Sequence, residues 1–314
     1  MSLLSFKRRE SGTQNIVPRN VTALMEDYSI EVMPRTAEKV DDFRALLPQN
    51  TRVYVAHIEG TPIEEMVATA ARLARDGMQV MPHFPARIIQ DRATLADWIA
   101  RYQGEAGVEQ GLILAGGVAK PHGDFHSSMQ LLETGLFDGF KRLHIAGHPE
   151  GNRDIDTDGT DRLVMDALRW KQDFNERSDA QMAIVTQFAF EAAPVIKWIE
   201  ALEAAGITIP VHLGVAGPAK LQTLIRFAIA CGVGPSLRVL QKRARDVTKL
   251  VVPYEPTDLV KSLADYKAAN PKSLLKSLHF FPLGGITTNA NWALSHSNAT
   301  PAHSDIAALA PQDP

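Results

Sequence analysis

Several polar residues stand inside or at the ends of short apolar runs, where a side chain can be buried and still meet a ligand. Glu31 lies within IEVMPRT. A carboxylate in such a run is costly unless it is paired or protonated. It reads either as half of an ion pair, with Arg35 or another cation, or as a general acid whose pKa burial raises. His83, in MPHF, reads as a satisfied core histidine or as a contact to a bound ring. Gln187, in VTQFAF, has donors and acceptors that suit a heterocycle edge, though alone it reads equally as structural. In HIAGHPEGNRD, His148, Pro149 and Glu150 lie between Gly147 and Gly151, which let the chain turn sharply. His57 with Glu59, the Ala115–Gly117 turn, His212 and His279 complete the set. His148, Glu150, His83 and His212 could converge on a metal, but no helix-borne ligand pair occurs, so none is expected. Gly-x-Ser-x-Gly, P-loop and G-x-G-x-x-G motifs are also missing, which removes the signatures of serine hydrolases, P-loop nucleotidases and Rossmann dehydrogenases.

The elements that must position these residues alternate. Strand-like runs are Tyr28–Val32, Arg52–Ala56, Gln79–Pro82, Gly111–Ala115, Arg142–Gly147, Met182–Gln187, Ile209–Leu213 and Leu278–Phe281. Most are nearly continuous apolar, as strands covered on both faces are. Between them lie segments of helical period, among them Ile63–Asp76, Thr160–Asn175 and Ala192–Ala205. Gly77 and Gly206 follow their helices where a C-cap glycine belongs. Strand–helix alternation implies a parallel sheet, and eight units in about 260 residues fit a (β/α)8 TIM barrel. An open doubly wound sheet is the runner-up, but the turn after its first strand (EVMPRTAEK) lacks the usual glycines. The long stretch between strands seven and eight holds Ala219–Ala230, Pro235–Lys242 and Thr257–Asn270, which predicts extra helices there. The expected organisation is an N-terminal extension (1–24), one barrel domain (25–294) and a loose C-terminal tail (295–314). In a barrel, chemistry sits where strands end and βα loops begin, which is where the polar candidates fall.

The chain has 314 residues, with 33 basic against 36 acidic, a formal charge of −3. That balance offers no surface for nucleic acid. One cysteine, Cys231, excludes a disulfide framework or a Cys-rich metal site within one chain. The apolar runs are too short to span a bilayer. Met1–Phe6 precedes its basic residues, the reverse of a secretory signal, so cytoplasmic residence is expected.

The order of motifs resembles methylenetetrahydrofolate reductase over roughly residues 25–290. Glu31, Pro34, Arg35 and Thr36 are similar to that family's E-F-F-P-P-R-T. Pro82-His83 resembles its P-H-[LF], and His148-Pro149-Glu150 its H-P-E. Thr186-Gln187-Phe188 with Phe190 resembles T-Q-x-x-F, and His279-Phe280-Phe281 resembles H-[FL]-Y. The resemblance implies a barrel that binds FAD, with NADH or NADPH as co-substrate and tetrahydrofolate one-carbon derivatives as substrates. It implies Glu31 as the general acid that protonates N10 as the imidazolidine ring opens, and Gln187 as the pterin contact. Phe190 would wall the folate and nicotinamide side of the flavin, and His279 would join the substrate site. His57, His83, Ala115, Gly116, Gly117, His148 and Lys171 fall at flavin-binding positions. Barrels of this type often self-associate, so a homo-oligomer is an open expectation.

Three departures mark a divergent branch. L-R-G-D-x-P after the fourth strand becomes Leu114-Ala115-Gly116-Gly117-Val118, losing both Arg and Asp, with Asp124 further along as a stand-in. P-G-[IL]-[ML]-P becomes His212-Leu213-Gly214-Val215-Ala216-Gly217-Pro218, and L-N-R becomes Pro282-Leu283-Gly284-Gly285. Loss of a carboxylate at Gly117 would raise the flavin potential and favour oxidation of 5-methyltetrahydrofolate, as in a methyl-catabolic route. The alternatives are a flavin-independent reductase with direct hydride transfer, a non-catalytic folate-binding subunit, and an unrelated barrel lyase or metal hydrolase.

Overall fold

Eight parallel strands close on themselves in chain order in the computed structural model, which describes residues 17–230, 240–241 and 253–303. They are β1 (Ser29–Val32), β2 (Arg52–Val55), β3 (Gln79–Pro85), β4 (Gln110–Leu114), β5 (Arg142–Gly147), β6 (Gln181–Ala189), β7 (Val211–Ala216) and β8 (Leu275–Phe281). β1 seals the ring against β8, with Ser29 opposite His279 and Ile30 opposite Phe280. The architecture is the expected (β/α)8 barrel. Each expected strand is present, and only the ends shift, notably β3, β6 and β8, which run longer.

Strand periodicity sorts side chains to two faces. On β1, β2 and β8, Ile30, Val32, Val53, Val55, Leu278 and Phe280 join the large core between strands and helices. The alternate residues point inward. Tyr54, Met81, Leu112 and Val185 form a small apolar cluster inside the ring. Around it the inward positions are polar, with Ser29, Glu31, His83, His144, His212, Ser277 and His279.

The helices are α1 (Arg19–Met25), α2 (Pro34–Ala37), α3 (Ile63–Arg75), α4 (Arg92–Ala106), α5 (Ser128–Glu133), α6 (Arg162–Glu176), α7 (Ala192–Ala204), α8 (Leu221–Ala230), α9 (Thr257–Ala269) and α10 (Ile286–Ser295). In α3, Met66, Val67, Ala70 and Leu73 form the buried stripe, and each large apolar side chain buried there contributes about 1.5–3 kcal/mol. Asp91 caps α4 by accepting from the Thr94 N–H at 2.7 Å. α6 begins later than the sequence pattern predicts. The cap comes from the preceding loop, where buried Asp156 accepts from the Leu163 and Val164 N–H groups at 2.9 and 3.0 Å. α8 and α9 both lie between β7 and β8; the helix expected at Pro235–Lys242 lies outside the described residues except for 240 and 241. Near the C-terminus, His303 Nδ1 pairs with Asp42 at 2.8 Å, and the Ala302 N–H donates to the Leu47 carbonyl at 3.1 Å. Among the described residues no helix is long and apolar enough to cross a membrane.

Candidate active site

β1, β3 and β8 bring Glu31, His83 and His279 together inside the barrel. Glu31 Oε2 lies 3.3 Å from His83 Nε2 and 3.8 Å from His279 Nε2. Both contacts are at ion-pair distance without hydrogen-bond alignment. Burial pushes the Glu31 carboxyl up, but His279 and His83 outweigh it and bring it down to about 2. This corrects the expected raised pKa, and of the two expected partners, Arg35 or another cation, Arg35 is not the one beside the carboxylate among the described residues. Arg35 is exposed, and the carboxylate's neighbours are the His279 and His83 imidazoles, which hold it ionised.

His279 is fully buried, and burial lowers its pKa despite the Glu31 charge. Its Nδ1 is 2.9 Å from Ser29 Oγ. With the serine donating to Nδ1, the neutral ring carries its proton on Nε2, facing Glu31. The Tyr54 ring packs 4.4 Å from His279, and its hydroxyl lies 2.5 Å from His144 Nδ1. Burial raises the Tyr54 pKa and lowers that of His144 well below the usual imidazole range, so the phenol donates and the imidazole accepts. His144 then packs edge-on against His212 at 4.9 Å.

Gln187 is positioned by a β-bulge. β6 carries one more residue than β7 between the pairs Val185–His212 and Phe188–Gly214. Thr186 fills the bulge, donating its hydroxyl to the Gln187 carbonyl at 2.7 Å and accepting the Gly214 N–H at 2.8 Å. A Cβ at Gly214 would collide with the backbone carbonyls of Thr186 and Gln187. The T-Q pair and the glycine two strands from Glu31 are therefore one device. Beyond it, Phe281 stands edge-on to His279 at 4.8 Å and to Phe188 at 5.5 Å. Phe190 belongs to the next layer, 5.7 Å from Phe188 and 5.3 Å from Tyr254.

A cleft of about 690 Å³ opens over the ends of β2, β3 and β4, walled by His57, Pro85, Leu114, Gly116, Gly117, Lys120 and His122 among others. Leu114 also borders the inner cluster, so the cleft adjoins the barrel interior. Burial lowers the His57 pKa, its Nε2 meets the Thr61 carbonyl at 3.0 Å, and its Nδ1 has no partner. Its ring lies over Trp98 at 4.7 Å. Ala115 holds the turn by accepting the Arg87 N–H at 2.9 Å. Gly116 adopts φ +91° against Pro85, while Gly117 has open space around it. Asp124 does not replace the missing carboxylate. It is exposed, outside the cleft wall, and its N–H is tied to the Gln90 carbonyl at 2.9 Å. Lys120 and His122 are cleft residues that the sequence pattern alone did not single out, and His122 pairs at 2.8 Å with Glu59, which it did.

His148 and Lys171 form a third group, off that cleft. Lys171 on α6 is buried, which lowers its ammonium to about 8; burial and the Lys171 charge bring His148 down to about 4. The residues considered for a metal are separated, His83 facing Glu31 and His212 facing His144. Among the described residues no cluster of three metal-ligating side chains occurs.

No protein-family model matches the chain. Among solved structures, an uncharacterized protein from Clostridium thermocellum, described as binding two copies of 5-methyl-5,6,7,8-tetrahydrofolic acid, superposes with a TM-score of 0.52. The identity is 10%, over 87% of this chain and 96% of that one, so the likeness is one of fold. An enoyl-[acyl-carrier-protein] reductase from Aquifex aeolicus VF5 matches at 12% identity over 77% of this chain and 97% of its own, with a TM-score of 0.32, too low to carry an argument.

Proposed function

We propose that the chain binds a reduced folate at the C-terminal mouth of the barrel and interconverts 5-methyltetrahydrofolate and 5,10-methylenetetrahydrofolate. The observation that carries this reading is the Glu31 carboxylate inside the barrel, flanked by His83 and His279 and backed by an aromatic wall. Loss of hydride from the N5-methyl group leaves a 5-iminium cation, which a buried carboxylate stabilises by charge. N10 then attacks the iminium carbon, the five-membered ring closes, and the N10 proton must leave. Glu31, held ionised, is in the state that accepts it. In reverse, a protonated Glu31 returns the proton to N10 and the ring opens. The resting ionisation therefore matches the oxidative direction. Gln187, aimed by its bulge, supplies polar groups for the pterin edge, and Phe281 and Phe188 supply its apolar wall. The Clostridium thermocellum protein's ligand supports a folate.

The hydride acceptor is NAD+ or NADP+, directly or through FAD. The donor set suits a dinucleotide. His57 has an unpartnered nitrogen, the Gly116–Gly117 turn leaves space for a backbone-close ligand, and Lys171 offers a buried cation with His148 beside it. A bound flavin would supply the hydride exchange. A second reading, direct transfer to nicotinamide, is favoured by the open Gly117 and by the separation of His148 and Lys171 from the cleft. The visible spectrum of the purified protein with added FAD separates the two. Glu31→Gln tests both, because each requires the carboxylate for ring closure.

A further inference from the structure

We propose that the opposite, N-terminal mouth of the barrel binds a small phosphate-class dianion between Arg52, Arg142 and Lys276. A cavity of about 410 Å³ opens there, lined by these three cations and by Tyr28, His212 and Ser277. The strand register builds it. Arg52 pairs with Gln79 on one side, and Arg142 pairs with Gln110 and Gln181, so the first inward positions of β2 to β6 form a ring of long polar side chains. Lys276 is the extra residue in β8 where its register with β7 slips between Val211 and His212, a bulge that sets it at the cavity edge.

Two features of this ring ask for a ligand. Among the described residues Arg52 donates its side-chain hydrogen bonds to neutral amides, Gln110 Oε1 at 3.1 Å and Gln79 Oε1 at 3.2 Å. Among the described residues none of the three cations has a carboxylate within ion-pair distance, and Glu26 and Asp27 stand exposed at the lip. In addition, Tyr28, Ser277 and His212 border the cavity, and their Oη, Oγ and Nδ1 atoms are buried with no hydrogen-bond partner among the described residues, on side chains 4%, 1% and 8% exposed. Buried polar groups left unpaired are costly, and three of them stand on residues that border a cavity carrying three cations. Arginine forks and an ammonium around hydroxyl groups match the several acceptor oxygens of a phosphate or phosphate monoester. The cavity's His144 bonds to Tyr54, whose ring packs on His279 beside Glu31. The lower ligand thus shares one continuous polar column with the upper site while standing at the other end of the barrel.

The test is calorimetric titration of the full chain with inorganic phosphate at constant ionic strength, paired with thermal unfolding in phosphate against chloride. One saturable site and a phosphate-specific rise in Tm are expected. Lys276→Gln, an exposed position that leaves folding intact, and Arg142→Gln should each weaken phosphate by about tenfold, the value of one charge-assisted hydrogen bond. Both should leave 5-methyltetrahydrofolate binding at the upper site unchanged. Absence of saturable phosphate binding, or equal affinity in wild type and Lys276→Gln, would overturn the proposal.

Discussion

Glu31 on β1 and His83 on β3 approach to 3.3 Å across the barrel interior, with His279 of β8 on the other side of the same carboxylate oxygen at 3.8 Å. The pair converts an apparently misplaced acid into a fixed negative charge. It also reverses the protonation expected from burial alone, because two imidazoles outweigh desolvation.

Replacing that charge should separate binding from chemistry. Glu31→Gln preserves shape and hydrogen-bonding capacity but cannot take a proton. Turnover of 5-methyltetrahydrofolate should fall by about 10²–10⁴-fold, the usual worth of a general base, while equilibrium binding changes little. A loss confined to affinity would assign Glu31 to recognition instead.

The bulge predicts a glycine requirement. In Gly214→Ala the new methyl meets the Thr186 and Gln187 carbonyls, which costs about 1–3 kcal/mol if the strands shift to admit it. Displacement of Gln187 should also weaken folate binding. Chemical denaturation and a folate titration read the two effects, and a variant unchanged in both would remove the bulge from the account.

Acid sensitivity should follow the buried histidines. His212 is lowered from the ordinary 6.5 to about 3, by burial first and then by Arg52 and other nearby cations. Below pH 6.5 the unfolded chain takes up a proton that the folded ring refuses, so stability falls as pH drops from 6.5 towards 3. One such proton gives a slope of about 1.4 kcal/mol per pH unit. His212→Asn should flatten the profile by that amount in this window; an identical profile in wild type and variant would show that His212 stays protonated in the fold.

Tyr54 holds the column together. Tyr54→Phe strands His144 Nδ1 in the barrel interior and should cost about 1–3 kcal/mol, the penalty for a buried unpaired polar atom. Thermal unfolding measures it, and a neutral result would mean that water replaces the phenol.

The fold was legible because strands covered on both faces are short and apolar and helices announce their stripes, as Met66, Val67, Ala70 and Leu73 do in α3. Gln187 was legible as a candidate, but its place on the strand depends on a bulge created by the spacing of β6 against β7, which no single segment carries. The ionisation of Glu31 was hidden for the same reason. Its partners lie on β3 and β8, far away in sequence, and only barrel closure sets them beside it. The polar ring of Arg52, Gln79, Gln110 and Arg142 sits at strand starts, where single polar residues look like ordinary loop edges.

The most direct test is anaerobic mixing of the purified protein with 5-methyltetrahydrofolate and NAD+ or NADP+, with and without FAD, while following nicotinamide reduction. The account predicts formation of 5,10-methylenetetrahydrofolate with matching nicotinamide reduction in wild type, and in Glu31→Gln folate binding with little turnover. Wild-type protein that neither binds 5-methyltetrahydrofolate nor reduces either nicotinamide under any of these conditions would contradict it.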